Sequence, residues 1–352
     1  MIRQFHFPRA ALFLGAGLGI VPLTALGQTA APTSAVSVPA VSTPANPDSG
    51  PLFSVPDTVV LPNMCDANYD TPAPDSPYRL SPPAFVPRGV AQLGELALPP
   101  DTAIQTLEDV HPWLQSVATL YPDRVTLRVI GWSSQGRPVI ALEVRPPSSS
   151  SGPSRRIVVQ CRQHGDEPEA TASGTRFLYE WLTSTNPAQA KVSSSTTLLF
   201  VAVANPDGAA KCQRRSGADI DMNRDWGIFR SPEVRALAGA FTAWKPQLVV
   251  DVHQWDPAPH MPPPMAEGSG GELAERTAWA MAAADGERGL PLAARYHWGL
   301  DTLCHRYFGQ RLHIPAILLE SRHMPTIPGY RAVAIATTVT ALWSAAGNVS
   351  GA

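Results

Sequence analysis

Charge is scarce in this chain and nearly balanced. Only 16% of its 352 residues are Asp, Glu, Lys or Arg, and the formal net charge is -2. There is no basic stripe for nucleic acid or for an anionic membrane surface, so neither is expected as a partner. Cysteine is scarce too. Cys65, Cys161, Cys212 and Cys304 follow no zinc-ribbon spacing. In an oxidising compartment they allow three full pairings, between which the spacing does not choose. Cys161 lies inside an apolar run and also reads as a buried thiol. Long apolar runs are missing after the first thirty residues, so nothing later reads as a membrane span.

The first thirty residues are different. Arg3 and Arg9 begin a stretch that continues as "ALFLGAGLGIVPLTA" and ends "ALG" before Gln28. A short basic start, a Gly-broken apolar centre and small residues at the end make a secretory signal over 1–27. No Cys follows, so no lipid anchor is expected. The mature chain is expected to be secreted or periplasmic, with no membrane attachment after cleavage. Proline is plentiful at 37 residues. Many of these prolines fall with Ala and Ser in residues 28–100, which reads as a linker and irregular arm unable to bury much apolar surface. Residues 101–348 remain as the folded domain, long enough for a large core.

Within that domain a helix is expected from about Thr102 to Leu120, with Val110, Trp113, Leu114 and Val117 on one face. "RVTLRVIGWSSQGRPVIALEVR" reads as a hairpin turning at "SSQG". Apolar strands follow at Ile157–Cys161, in "TTLLFVAV", in "QLVVDVHQW" and in "AILLES". Helices are expected over about Glu167–Leu182, in "SPEVRALAGAFTAWKP", "GELAERTAWAMAAADG" and "LDTLCHRYFGQRL", and from Tyr330 to about Ala345. Continuous apolar strands alternating with helices predict an α/β fold, a mixed, mostly parallel twisted sheet with helices on both faces. Polar chemistry in such sheets collects at the strands' C-terminal ends.

Three strands here end in "QHGDE", "DVHQW" and "ES". An H-x-x-E pair alone is a weak signal. His164 and Glu167 joined by His253 make a two-histidine, one-carboxylate set that suits zinc and leaves a position for water. Glu320 closes a buried strand, where desolvation raises a carboxyl towards the working range of a general base. Arg214, Arg215, Asn223 and Arg224 sit in the turn-rich "ANPDGAAKCQRRSGADIDMNRDW". Guanidinium groups beside a metal suit an anionic substrate end and an oxyanion.

Together these motifs resemble the zinc carboxypeptidases of the carboxypeptidase A type (M14 peptidases), over roughly Thr102 to Gly347. "HGDE" resembles the family's H-x-x-E, and "NPDG" with "RRSGADIDMNRDW" its N-P-D-G, Arg and N-R run. "DVHQW" resembles its third-ligand strand, "ILLES" its catalytic Glu strand, and "GWSSQGR" its G-x-S-x-x-G-R hairpin. The resemblance implies a carboxypeptidase-like α/β/α sandwich and one zinc per chain on His164, Glu167 and His253. It implies Glu320 as general base and acid, and Arg214 polarising the scissile carbonyl. Asn223 and Arg224 would hold the terminal carboxylate of a peptide or peptide-like substrate, with peptidoglycan stem peptides one such class. Asp219 stands where the family usually has Gly. The family's substrate-capping Tyr has no clear counterpart, Tyr296, Trp298 and Tyr307 being the aromatic candidates. Two other readings use the same features: a zinc amidase or deacylase of N-acyl amino acids, and a non-catalytic binding module on the same fold.

Overall fold

In the computed structural model, residues 107–148, 154–255, 264–297, 302–322 and 330–351 are described. The signal over 1–27, the arm over 28–100 and Trp298 lie outside them, so these expectations are left as they stand. Helix α1 (Leu107–Leu120) precedes the hairpin of β1 (Val125–Trp132) and β2 (Pro138–Val144). Then come β3 (Arg155–Cys161), α2 (Pro168–Thr183), α3 (Pro187–Ser195), β4 (Thr196–Val201) and the short α4 (Pro206–Lys211). A 3-10 turn at Met222–Arg224 leads to α5 (Pro232–Trp244) and β5 (Leu248–Trp255). The chain ends with β6 (Met265–Ser269), α6 (Glu272–Glu287), β7 (Ala293–Tyr296), α7 (Cys304–Arg306), β8 (Ala316–Arg322) and α8 (Tyr330–Ser350).

The strands form one sheet in the order β1-β2-β4-β3-β5-β8-β6-β7. It is mixed, as expected: β4, β3, β5 and β8 run parallel, while β1, β2 and β4 pair antiparallel, as do β6 and β8. Strand alternation explains the apolar runs. In β3, Ile157, Val159 and Cys161 enter the core shared with α1, α2, α6 and α8. Val158 faces the opposite core, with Val234, Leu237 and Phe241 of α5. A strand covered on both faces needs apolar residues at every position. Chain order reverses around β3, since β4 pairs on one side of it and β5 on the other. A crevice opens at such a point, outside the strands' C-terminal ends.

Several elements differ from expectation. Helix α3 forms in a stretch without apolar period because Asn186 caps it, its side chain accepting from Ala188 N at 2.9 Å, and Pro187 opens it. The expected helix in "LDTLCHRYFGQRL" begins only at Cys304 and continues as a π-turn over Tyr307–Arg311. Glu267 of β6 holds that segment, accepting from Arg306 Nη2 at 2.7 Å with His305 Nε2 2.9 Å away. The expectation of no second span by composition is corrected: Arg331–Ser350 has a mean hydropathy of 1.3 over enough length to cross a membrane. Helix α8 nevertheless packs on α2 and α6, and its apolar character is that of a core helix.

Candidate metal centre

The site begins where β3 stops. Arg162 turns the chain with φ of +57°, a left-handed conformation uncommon for a long side chain. Its Nε donates to Gly165 O at 3.0 Å, and its carbonyl accepts from Asn205 N at 3.2 Å. Gly165 is pressed against Gly208, where a Cβ would lie 2.0 Å from the Gly208 carbonyl carbon. The "HGDE" and "NPDG" turns are therefore fixed against each other. Pro168 opens α2 at its first turn, which sets Glu167 at the helix entrance.

His164, Glu167 and His253 converge there, all buried, with one ligand atom from each within 4.8 Å of the others. Both imidazoles turn Nδ1 to the same place. His164 Nδ1 lies 2.6 Å from Glu167 Oε1, His253 Nδ1 lies 2.9 Å from Glu167 Oε2, and the two Nδ1 atoms are 3.2 Å apart. The outer nitrogens each meet a carboxylate: His164 Nε2 is 3.2 Å from Asp221 Oδ1, and His253 Nε2 is 2.9 Å from Asp251 Oδ2. Two nitrogens and an oxygen facing one point, with carboxylates behind both rings, suit a tetrahedral zinc.

Glu320 stands beside this group because β5 and β8 pair in parallel with His253 opposite Glu320. Burial pushes its carboxyl well above the usual carboxylate range, against the pull of His253. One of its oxygens is buried without a hydrogen-bond partner.

A cleft of about 220 Å³ joins His164, Glu167 and Glu320 to Arg214, Asn223 and Arg224. Arg214 Nη1 lies 3.1 Å from His164 Nδ1, and its Nε donates to Asp221 Oδ2 at 3.1 Å. Asn223 is buried, and its Oδ1 accepts from Cys304 N at 2.9 Å. That bond leaves the amide NH2 as its remaining donor group. Leu303, Leu318 and Trp255 add an apolar wall. Six of the seven residues assigned to the site from the sequence line this cleft, and His253, the seventh, completes the metal group with His164 and Glu167.

Residues 110–240 match the sequence profile of the zinc carboxypeptidases, Peptidase_M14. "Inactive metallocarboxypeptidase ECM14" of Ajellomyces capsulatus is 23% identical over 141 residues, 35% of this chain and 24% of its own length. "Zinc carboxypeptidase A 1" of Drosophila melanogaster is 28% identical over 148 residues, 38% of this chain and 34% of its own. The chain thus spans a quarter to a third of the length of these relatives. A metallo-carboxypeptidase of Pseudomonas aeruginosa, solved with (2-guanidinoethylmercapto)succinic acid, has the same fold, with a TM-score of 0.55. It is 22% identical and covers 69% of each chain. His253 and Glu320 lie beyond the matched residues, and the β5–β8 register is what sets them side by side.

The structure also accounts for motifs that the sequence left without a role. Asp207 of "NPDG" grips the β1–β2 hairpin: Oδ1 accepts from Ser133 Oγ at 2.7 Å and Arg137 Nη1 at 2.8 Å. Its Oδ2 accepts from Ser134 Oγ and Gln135 N, both at 3.0 Å. No periodicity shows such a bond, but two turn motifs of complementary donors and acceptor hint at it. Asp219 has φ of +58°, so the Gly usual there serves a left-handed turn, which Asp tolerates better than most residues. Tyr296 donates no help to the cleft: its OH accepts from Gly271 N at 2.8 Å, and Tyr307 packs on Trp226 and Phe229. Cys161 and Cys304 are buried free thiols, whereas Cys212 is disulfide-bonded.

Proposed function

We propose that this chain is an exported zinc-dependent metallocarboxypeptidase that hydrolyses the amide bond next to the free C-terminal carboxylate of a peptide. The reading is carried by one observation. His164 and Glu167, grouped with His253, line one cleft with the buried carboxyl of Glu320 and the side chains of Arg214, Asn223 and Arg224. Export rests on the sequence of residues 1–27.

The residues divide the work as follows. His164, Glu167 and His253 would hold a zinc ion, which would supply Lewis-acid polarisation of a carbonyl and acidify a water. Arg224 and the free amide NH2 of Asn223 receive the substrate's terminal carboxylate, for which a planar guanidinium is well matched. The succinic acid derivative held by the Pseudomonas relative is a dicarboxylic acid, in keeping with such a grip. Arg214, at the edge of the metal group, donates to the oxygen on which charge develops. Glu320 takes the proton from the attacking water and passes it to the leaving amine, a task suited to a carboxyl with a raised pKa. Leu303, Leu318 and Trp255 shield the reacting centre from bulk water.

A non-catalytic reading is favoured by the name of the fungal relative, which is called inactive. Against it stands the complete set here: three ligands, Glu320 and Arg214. Metal analysis of the purified protein tests the proposal. About one zinc per chain is expected in the wild type and none in His253→Ala. Full zinc occupancy in His253→Ala would remove the assignment.

A further inference from the structure

Behind His253 runs a buried chain of polar side chains that catalysis does not use directly. It starts at Trp226, whose Nε1 donates to Gln163 Oε1 at 2.5 Å. An indole N–H can only donate, so this bond fixes which end of the Gln163 amide is oxygen. The nitrogen end then faces Asp251, with Gln163 Nε2 donating to Oδ2 at 2.8 Å. Gln160 Nε2 donates to the other oxygen, Oδ1, also at 2.8 Å. Asp251 is 0% exposed and contacts no Arg or Lys through these bonds. His253 Nε2 has two polar neighbours, Asp251 Oδ2 at 2.9 Å and the Gln163 amide nitrogen at 3.3 Å. Gln163 Nε2 is already directed to Asp251 Oδ2, and a carboxylate only accepts, so the nearer contact places the proton on His253 Nε2. That leaves a lone pair on Nδ1, the atom turned towards Glu167 and His164.

Strand geometry makes this possible. Asp251 and His253 are two apart in β5 and share the face that Val249 also occupies, beneath α5. Gln160 and Asp251 are register partners on β3 and β5. His164 is held differently. Its Asp221 partner is 3.2 Å away, 17% exposed, and shared with Arg214.

We propose that Asp251 is the positioning residue of the metal centre, setting His253 as an Nδ1 ligand through a bond polarity that begins at Trp226. The inference rests on the metal-binding reading above. A buried carboxylate against the outer nitrogen also makes the ring a stronger donor, and losing such a partner typically weakens metal affinity about 10–100-fold. Asp221, more exposed and shared, contributes less.

Zinc dissociation constants are measured by chelator competition on full-length wild type, Asp251→Asn and Asp221→Asn. Asp251→Asn is expected to bind about 10–100-fold more weakly, with the smaller loss in Asp221→Asn. In zinc-loaded wild type, nitrogen NMR of the imidazoles reports the tautomer without any substitution. It is expected to show a protected Nε2–H on His253. A His253 bound through Nε2, or an Asp251→Asn affinity within about twofold of wild type, overturns the proposal. An unfolded Asp251→Asn leaves the wild-type spectrum to decide. Wild type that binds no zinc refutes the metal reading itself, and this inference with it.

Discussion

Asp285 gives a pH dependence that can be worked through with its sign. It lies near the end of α6, fully buried, and neither carboxylate oxygen has a hydrogen-bond partner. Burial raises its pKa from 3.8 to about 7, despite the opposing pull of Arg288. The folded state therefore keeps a proton that the unfolded chain releases near pH 4. Between these values the native state binds more protons than the unfolded state, so stability falls as pH rises. At about 1.36 kcal/mol per unit, a rise from 3.8 to about 7 amounts to roughly 4 kcal/mol lost by pH 8. Asp285→Asn keeps the shape and removes the ionisation. Its stability should match wild type at pH 4 and exceed it by up to about 4 kcal/mol at pH 8. For a domain of this size that is on the order of 10 °C in Tm. The assay is urea or thermal unfolding of both proteins in steps from pH 4 to pH 8. Parallel stability curves, with a constant difference across that range, would refute the reasoning.

Other outcomes follow from the same structure. Glu320→Gln should keep zinc and fold while turnover drops roughly a hundredfold or more, read by kcat beside metal content. Arg224→Met should weaken free-acid peptides about 10- to 100-fold, the cost of about 1.5–3 kcal/mol for a lost charged hydrogen bond. It should leave amidated peptides unchanged, as a ratio of kcat/KM values would show. Gly165→Ala places a Cβ 2.0 Å from the Gly208 carbonyl carbon, and should lower the unfolding free energy by at least about 1–3 kcal/mol in denaturant titration.

The candidate site was more legible than the fold around it, for physical reasons. The residues proposed as ligands and base sit at or just after the ends of apolar strands, where a His or Glu interrupts an otherwise buried run, as His253 does after Val252. Strands buried on both faces announce themselves as continuous apolar sequence, which is why β3, β4, β5 and β8 were found. Strands β6 and β7, "MAEGS" and "AARY", are short and contain no β-branched residue, and they are specified by pairing rather than by pattern. The helix expected through Thr302 and Leu303 is displaced because Asn223 takes the Cys304 amide and Glu267 takes Arg306. Such tertiary bonds leave no local signal. The polarity chain from Trp226 to Asp251 is equally silent, although "DMNRDW" and "DVHQW" contain both of its ends.

One measurement bears most directly on the central claim. Zinc-loaded wild type is incubated with a peptide bearing a free C-terminal acid and with the same peptide amidated, before and after chelation. Release of the C-terminal residue is then followed by mass spectrometry. Release from the free acid, little from the amide, and loss of both on chelation are the predicted result. Equal cleavage of the two peptides, or cleavage of neither by protein that holds its zinc, would contradict it.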